Sequence, residues 1–150
     1  MDGSHHDWFE GRRGTAVLMV MIDEATGRIL ARFFENESWD SAATTLRRYV
    51  QLQNLPRALY VDHHGIYRAD WEPMPDQVLA GIEPQTQFGR AKSELEMELI
   101  LAHSPQAKGR VERVNRTLQD RLVKELTRCG ISDLESANRY LEATYLPRFN

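Results

Sequence analysis

The pattern of apolar and polar positions changes character several times along the chain, and each change marks an element. Residues 16–22, Ala-Val-Leu-Met-Val-Met-Ile, are an unbroken apolar run, which suits a strand covered on both faces. The run stops at Asp23, and Gly27 four residues on supplies the positive φ that a tight turn needs. Ile29-Leu-Ala-Arg-Phe-Phe34 then reads as the returning strand of a hairpin. Residues 2–9 precede the pair as a further strand. From Ser38, an N-cap residue type, Trp39, Ala42, Ala43, Leu46, Tyr49 and Val50 recur at helical spacing. Asn54 and Pro56 end that helix.

Residues 58–62 form a short strand. Residues 69–84, with Trp71, prolines at 73, 75 and 84, and Gly81, read as a loop or insertion. A helix capped by Thr86 is predicted over 86–98, with Phe88, Ala91 and Leu95 inward, followed by a fifth strand over 99–103. A long helix covers 106–128 and stops at Gly130. Ser132 and Glu135 are spaced as a capping box for a last helix that turns Leu134, Ala137, Tyr140 and Leu141 inward. The order β-β-β-α-β-α-β-α-α predicts an α/β fold with a mixed sheet and helices on its faces. At 150 residues and 41% hydrophobic, the chain suits one core.

Charge alters this picture locally. The whole chain carries a formal −3, yet residues 105–129 hold seven Lys and Arg against three acids. A basic stripe in an otherwise acidic chain is the footprint of a phosphate-binding face, and equally that of a solvated helix. Within the long helix, Val111, Val114, Leu118, Leu122 and Leu126 form the packing stripe. Lys108, Glu112, Asn115, Arg116 and Gln119 share an adjacent face, with Arg110 and Arg113 further round. The one cysteine, Cys129, excludes an internal disulfide and a multi-cysteine zinc finger, which fits an intracellular protein. No apolar run reaches the length of a membrane span, and no signal-peptide core is present at the start. His5, His6, His63 and His64 lie beside two aspartates but lack zinc-ligand spacing.

The residues Pro105, Gly109, Glu112 and Asn115 make the run Pro-x-x-x-Gly-x-x-Glu-x-x-Asn. This resembles the signature of retroviral integrases and bacterial insertion-sequence transposases. Asp2-Gly-Ser-His-His-Asp-Trp8 and Tyr60-Val-Asp-His-His-Gly-Ile-Tyr67 are closer in wording to the transposases. The resemblance implies a ribonuclease-H-like fold with a mixed five-stranded sheet and helices on both faces. It also implies an Asp-Asp-Glu triad formed by Asp2, Asp62 and Glu112 that holds two Mg²⁺ ions, or Mn²⁺ in their place. The implied activity is DNA transposition by metal-dependent phosphoryl transfer: cleavage at an element end, then attack by a 3′-hydroxyl on target DNA. Lys108, Asn115, Arg116, His64 and Arg113 become candidate contacts to DNA, the expected partner, and core domains of this kind pair as homodimers or higher oligomers. The expected setting is the bacterial cytoplasm, at the nucleoid.

Each triad residue has a plainer reading. Asp62 would also suit the polar end of a strand, Glu112 an i,i+4 partner of Lys108 or Arg116, and Asp2 a solvated terminus. Asp23 is assigned to its turn. Gly65 stands one place later after Asp62 than in the family pattern, and Asp62 and Glu112 are more widely separated than is usual there. Asp2 is the second residue, so residues 1–150 read as a catalytic core cut at both ends and lacking a helix-turn-helix region. Two rival readings follow: a ribonuclease-H-like nuclease, or a non-catalytic DNA-binding or dimerisation remnant.

Overall fold

The computed structural model describes residues 1–68, 78–79, 84–102 and 105–150, and of residues 105–108 the backbone alone. The element order is the expected one. Strands β1 (Asp2–His6), β2 (Ala16–Ile22) and β3 (Ile29–Phe34) form an antiparallel meander with β2 in the middle. Helices α1 (Trp39–Leu52) and, later, α3 (Pro105–Arg128) both contact β2. That placement accounts for its apolar run, because no face of β2 is left to water. The β2–β3 turn is closed by Gly27 at φ 74° and by the Asp23 carboxylate, which accepts from the Ala25 amide at 2.8 Å. The Thr26 hydroxyl and the Ala25 amide hold the Asp23 carboxyl below the usual range, as befits a turn residue.

Ser38 caps α1. Its hydroxyl accepts from the Ser41 amide at 3.2 Å, and the Ser41 hydroxyl accepts in return from the Ser38 amide at 2.9 Å. Ala42 and Leu46 are buried as expected, whereas Trp39, in the first turn, stays 37% exposed and sets its edge on Phe88. The parallel pair β4 (Ala58–Val61) and β5 (Glu98–Leu101) is connected through α2 (Gln87–Glu94). The predicted loop over 69–84 lies mostly outside the described residues, as does His103 of the predicted fifth strand.

Three boundaries differ from expectation, each for a local reason. Strand β1, expected over 2–9, ends at His6 because the chain turns over residues 8–11, where the Gly11 amide donates to the Asp7 carboxylate at 3.1 Å. Helix α2 ends four residues early because Glu96 turns into the left-handed region at φ 52°, a conformation that glycine usually signals. The last helix, α4 (Leu134–Tyr140), is capped by Asp133 instead of Ser132, with the Ser136 amide donating to its carboxylate at 2.8 Å. Beyond α4 the chain widens into a π turn at Leu141–Tyr145 before α5 (Leu146–Phe149). Pro147 lies in α5 and has no N–H to return to the preceding turn. At the other helix end, Gly130 does stop α3, at φ 65°.

Among the described residues the strands form a ladder of three and a ladder of two. Between the two, the ammonium of Met1 donates to the Tyr60 carbonyl at 2.5 Å; a ladder requires successive bonds on both strands.

The free side of β3 is occupied by two amides. Asn138, on α4, accepts from the Phe33 amide at 2.7 Å and donates to the Phe33 carbonyl at 3.0 Å. Asn150 does the same for Ile29, at 2.7 and 2.9 Å. The core itself runs from Trp8, Phe9 and Phe33 through β2 to Leu118, Leu122 and Leu126 of α3, all at most 1% exposed. No described helix is long and apolar enough to cross a membrane.

Candidate active site

The docking of α3 along β1 sets the geometry of the site. Asn115 Nδ2 donates to Asp2 Oδ2 at 3.0 Å, and Gln119 Nε2 donates to Ser4 Oγ at 3.1 Å. Four helical residues rise about 6 Å and two strand residues about 6.7 Å, so the two elements match in step and bond twice. Asp2 and Ser4 alternate onto the α3 face of β1. Glu112 lies one turn before Asn115 on the same helix face and is exposed.

Asp62 follows β4 directly and is half-buried. Its Oδ1 accepts from the His64 amide at 3.0 Å, an Asx turn that bends the chain away from the strand. The Met1–Tyr60 bond draws the start of β1 to this end of β4. Tyr67, in the segment that follows β4, is buried, at 4% exposed. Burial, then the carboxylates of Glu37, Asp62 and Asp2, push the Tyr67 phenol well above its ordinary range. Its hydroxyl has no hydrogen-bond partner among the described residues.

Asn115, expected to touch DNA, is instead 7% exposed, with its amide committed to Asp2. Packing decides this: the amide lies on the side of α3 that meets β1. Arg113 and Arg116 are exposed, while the side chain of Lys108 lies outside the described residues. His64 is exposed, and its Nδ1 accepts from the Ile66 amide at 3.4 Å, so part of its capacity serves the turn. Arg110 is tied to the β2–β3 turn, donating to the Glu24 carbonyl at 3.0 Å and pairing with its carboxylate at 3.2 Å.

Sequence reasoning missed Glu37 and Tyr67. Tyr67 ends the Tyr60–Tyr67 wording, yet nothing in that wording marks its hydroxyl as a buried group raised by the field of three carboxylates. Glu37 sits between a strand and a cap, where an acidic residue carries no periodic signal.

Among the described residues no three His, Cys, Asp or Glu are grouped so as to hold a metal ion. The polar groups these elements carry are oxygens: the carboxylates of Asp2 and Asp62 and the buried Asn115 Oδ1 and Tyr67 hydroxyl, the last two without partners among the described residues. All-oxygen donors with Glu112 at their rim fit a hard divalent cation such as Mg²⁺.

No family model matches the chain. Over its whole length it is 42% identical to a Sinorhizobium fredii protein bearing the name "Putative transposase y4bF" and 36% identical to the transposase for insertion sequence IS1202 of Streptococcus pneumoniae. It spans 32% and 31% of those relatives, about a third of each. In fold it is similar to the HTLV-2 integrase catalytic core domain in complex with magnesium, with a TM-score of 0.63 and 16% identity over 92% of this chain and 78% of that one. The BIV integrase catalytic core gives 0.62 and 18%, over 95% and 82%. In sequence the chain is thus similar to transposases over its whole length, and in fold it is similar to retroviral integrase catalytic cores.

Proposed function

We propose that residues 1–150 are the catalytic core of a DNA transposition reaction, with Asp2, Asp62 and Glu112 as its metal-holding carboxylates. The observation that carries this reading is the bond from Asn115, one turn from Glu112 on α3, to the Asp2 carboxylate. Asp62 follows β4, the strand whose Tyr60 carbonyl accepts from the Met1 ammonium beside Asp2. When bound, a pair of Mg²⁺ ions, or Mn²⁺, supplies Lewis acidity to the attacking and leaving oxygens of an in-line displacement at phosphorus. The chain's own residues set the stage. Asn115 fixes the direction of the Asp2 carboxylate, the Asx turn fixes that of Asp62, and α3 brings Glu112 to their edge. No side chain has to act as a covalent nucleophile, because water and then a DNA 3′-hydroxyl take that role.

Lys108, Arg113 and Arg116, on the solvent side of α3, together with His64 at the rim, would hold the DNA backbone beside the carboxylates. In this reading β1 and β4 are neighbours in one mixed five-stranded sheet, and Met1–Tyr60 is its joining bond. The HTLV-2 core is known in dimeric and trimeric forms, and we extend self-association to this chain, acting on DNA in the bacterial cytoplasm.

Calorimetric titration with Mn²⁺ tests the assignment. Saturable binding is expected for the parent and its loss for Asp2→Asn, Asp62→Asn and Glu112→Gln. Parent-like binding by Asp62→Asn and Glu112→Gln would overturn it and favour a DNA-binding remnant. Arg116→Ala is expected to lower DNA affinity on all sequences alike. It should also reduce the slope of log affinity against log salt by about 1, the signature of one lost phosphate contact. An unchanged slope would remove Arg116 from the DNA path.

A further inference from the structure

Glu37 has no task in the chemistry above, and its surroundings are unusual for a carboxylate. Its side chain is 7% exposed, a placement that is costly unless the charge is paired. The partner is His5, whose Nε2 lies 3.0 Å from Glu37 Oε2 and whose own side chain is 65% exposed. Room for the carboxylate comes from Gly3: a Cβ at that position would lie 2.4 Å from Glu37 Oε2. The missing side chain between Asp2 and Ser4 is therefore a seat for Glu37. The same carboxylate acts on Tyr67 together with Asp62 and Asp2, which puts it in the electrostatic neighbourhood of the site. His5 Nδ1 has no hydrogen-bond partner among the described residues.

A buried carboxylate that holds one nitrogen of an exposed imidazole orients the ring and leaves the other nitrogen directed outward. We propose that Glu37, seated on Gly3, positions His5 to bind a phosphodiester of the DNA backbone. This rests on the reading of the site as a DNA-processing centre. In the complex the ring stands between two anions, donating from Nε2 to Glu37 and from Nδ1 to a phosphate oxygen. His5 is three strand residues from Asp2, about 10 Å along β1, and on the opposite face. The phosphate it takes is thus a neighbour of the reacting one, not the reacting one itself. His5 is a binding residue and Glu37 a positioning residue.

The test is a double-mutant cycle on binding of a fluorescent 20-base-pair DNA duplex without divalent metal. Mn²⁺ titrations and thermal unfolding are run on the same samples. A charge-assisted hydrogen bond corresponds to about tenfold in affinity. His5→Ala and Glu37→Gln are each expected to weaken binding by about that factor, and the double variant no further, because the two act as one unit. Gly3→Ala, which adds no charge, is expected to weaken binding in the same way by pushing Glu37 off its seat. In NMR spectra of the parent, the His5 ring signals should shift when duplex is added, and Glu37→Gln should reduce that shift.

Parent-like DNA affinity in His5→Ala overturns the proposal, as does a double variant whose loss is the product of the two singles. If those results come with intact, Asp62-dependent Mn²⁺ binding, the active-site reading stands and this inference alone falls. If the parent binds no duplex, both fall. Since His5 is mostly exposed, its alanine variant leaves the core untouched and keeps the test valid should Glu37→Gln unfold.

Discussion

Asp62→Asn is expected to lower metal-dependent cleavage of a DNA end by about a thousandfold while leaving the fold in place. The loss follows from charge. Carboxylates at a metal centre support several kcal/mol of transition-state stabilisation, and each 1.36 kcal/mol is about tenfold in rate. Survival of the fold follows from the Asx turn. The Asp62 contact seen in that turn is a hydrogen bond accepted by Oδ1 from the His64 amide, and an asparagine carbonyl accepts equally well. Asp2→Asn behaves alike, since Asn115 donates and a carbonyl oxygen still receives. Cleavage of a labelled duplex with Mn²⁺, beside a thermal melt, separates the two effects. Parent-like cleavage by a well-folded Asp62→Asn would end the catalytic assignment.

The largest effect on stability is expected at Trp8. Its ring is 1% exposed and meets Phe33 edge-on at 5.5 Å, and its indole N–H donates to the Ser4 carbonyl at 3.0 Å. Truncating a buried aromatic of this size costs about 3–5 kcal/mol. Trp8→Ala should shift the urea midpoint accordingly, whereas Trp8→Phe, which keeps most of the ring and loses the N–H, should shift it by much less. Trp8 also folds back onto the strand that carries Asp2. The alanine variant is therefore expected to weaken Mn²⁺ binding although Trp8 touches none of the carboxylates. A shift worth under about 1 kcal/mol would show that the Trp8 contacts add little to the anchoring of β1 by β2 and α3.

The β2–β3 hairpin was legible because composition and turn chemistry agree there, whereas the end of β1 was read three residues too late. Ala16–Ile22 is apolar on both faces, and Asp23 and Gly27 mark the turn with residue types that few other structures favour. The end of α2 was not legible, because Glu96 adopts a glycine-like conformation without being glycine. Trp39 fitted the helical stripe yet lies at the helix start, where the stripe runs past the edge of the core.

For the site, periodicity alone finds neither Asp2 nor Asp62, since nothing local distinguishes a ligand from a polar strand end. The Glu112 signature and the family wording supplied the expectation that both are ligands. They did not supply the orientation of side chains. Asn115 faces β1 and not solvent, and Glu37 and Tyr67 acquire meaning only when β1, the β3–α1 junction and the segment after β4 are brought together. Such residues are defined by tertiary contact, which no one-dimensional pattern carries.

The paired amides on β3 bear on how copies of this chain can meet. Ile29, Leu30, Phe33 and Phe34 would make an adhesive border if their backbone were open, since an unpaired apolar strand recruits another chain by extending the sheet. Asn138 and Asn150 each imitate a neighbouring strand for one residue and then end in a side chain, so the imitation does not propagate. A second copy would have to displace four hydrogen bonds to add itself at that border. The border of β3 is thereby withdrawn from open-ended stacking of sheets.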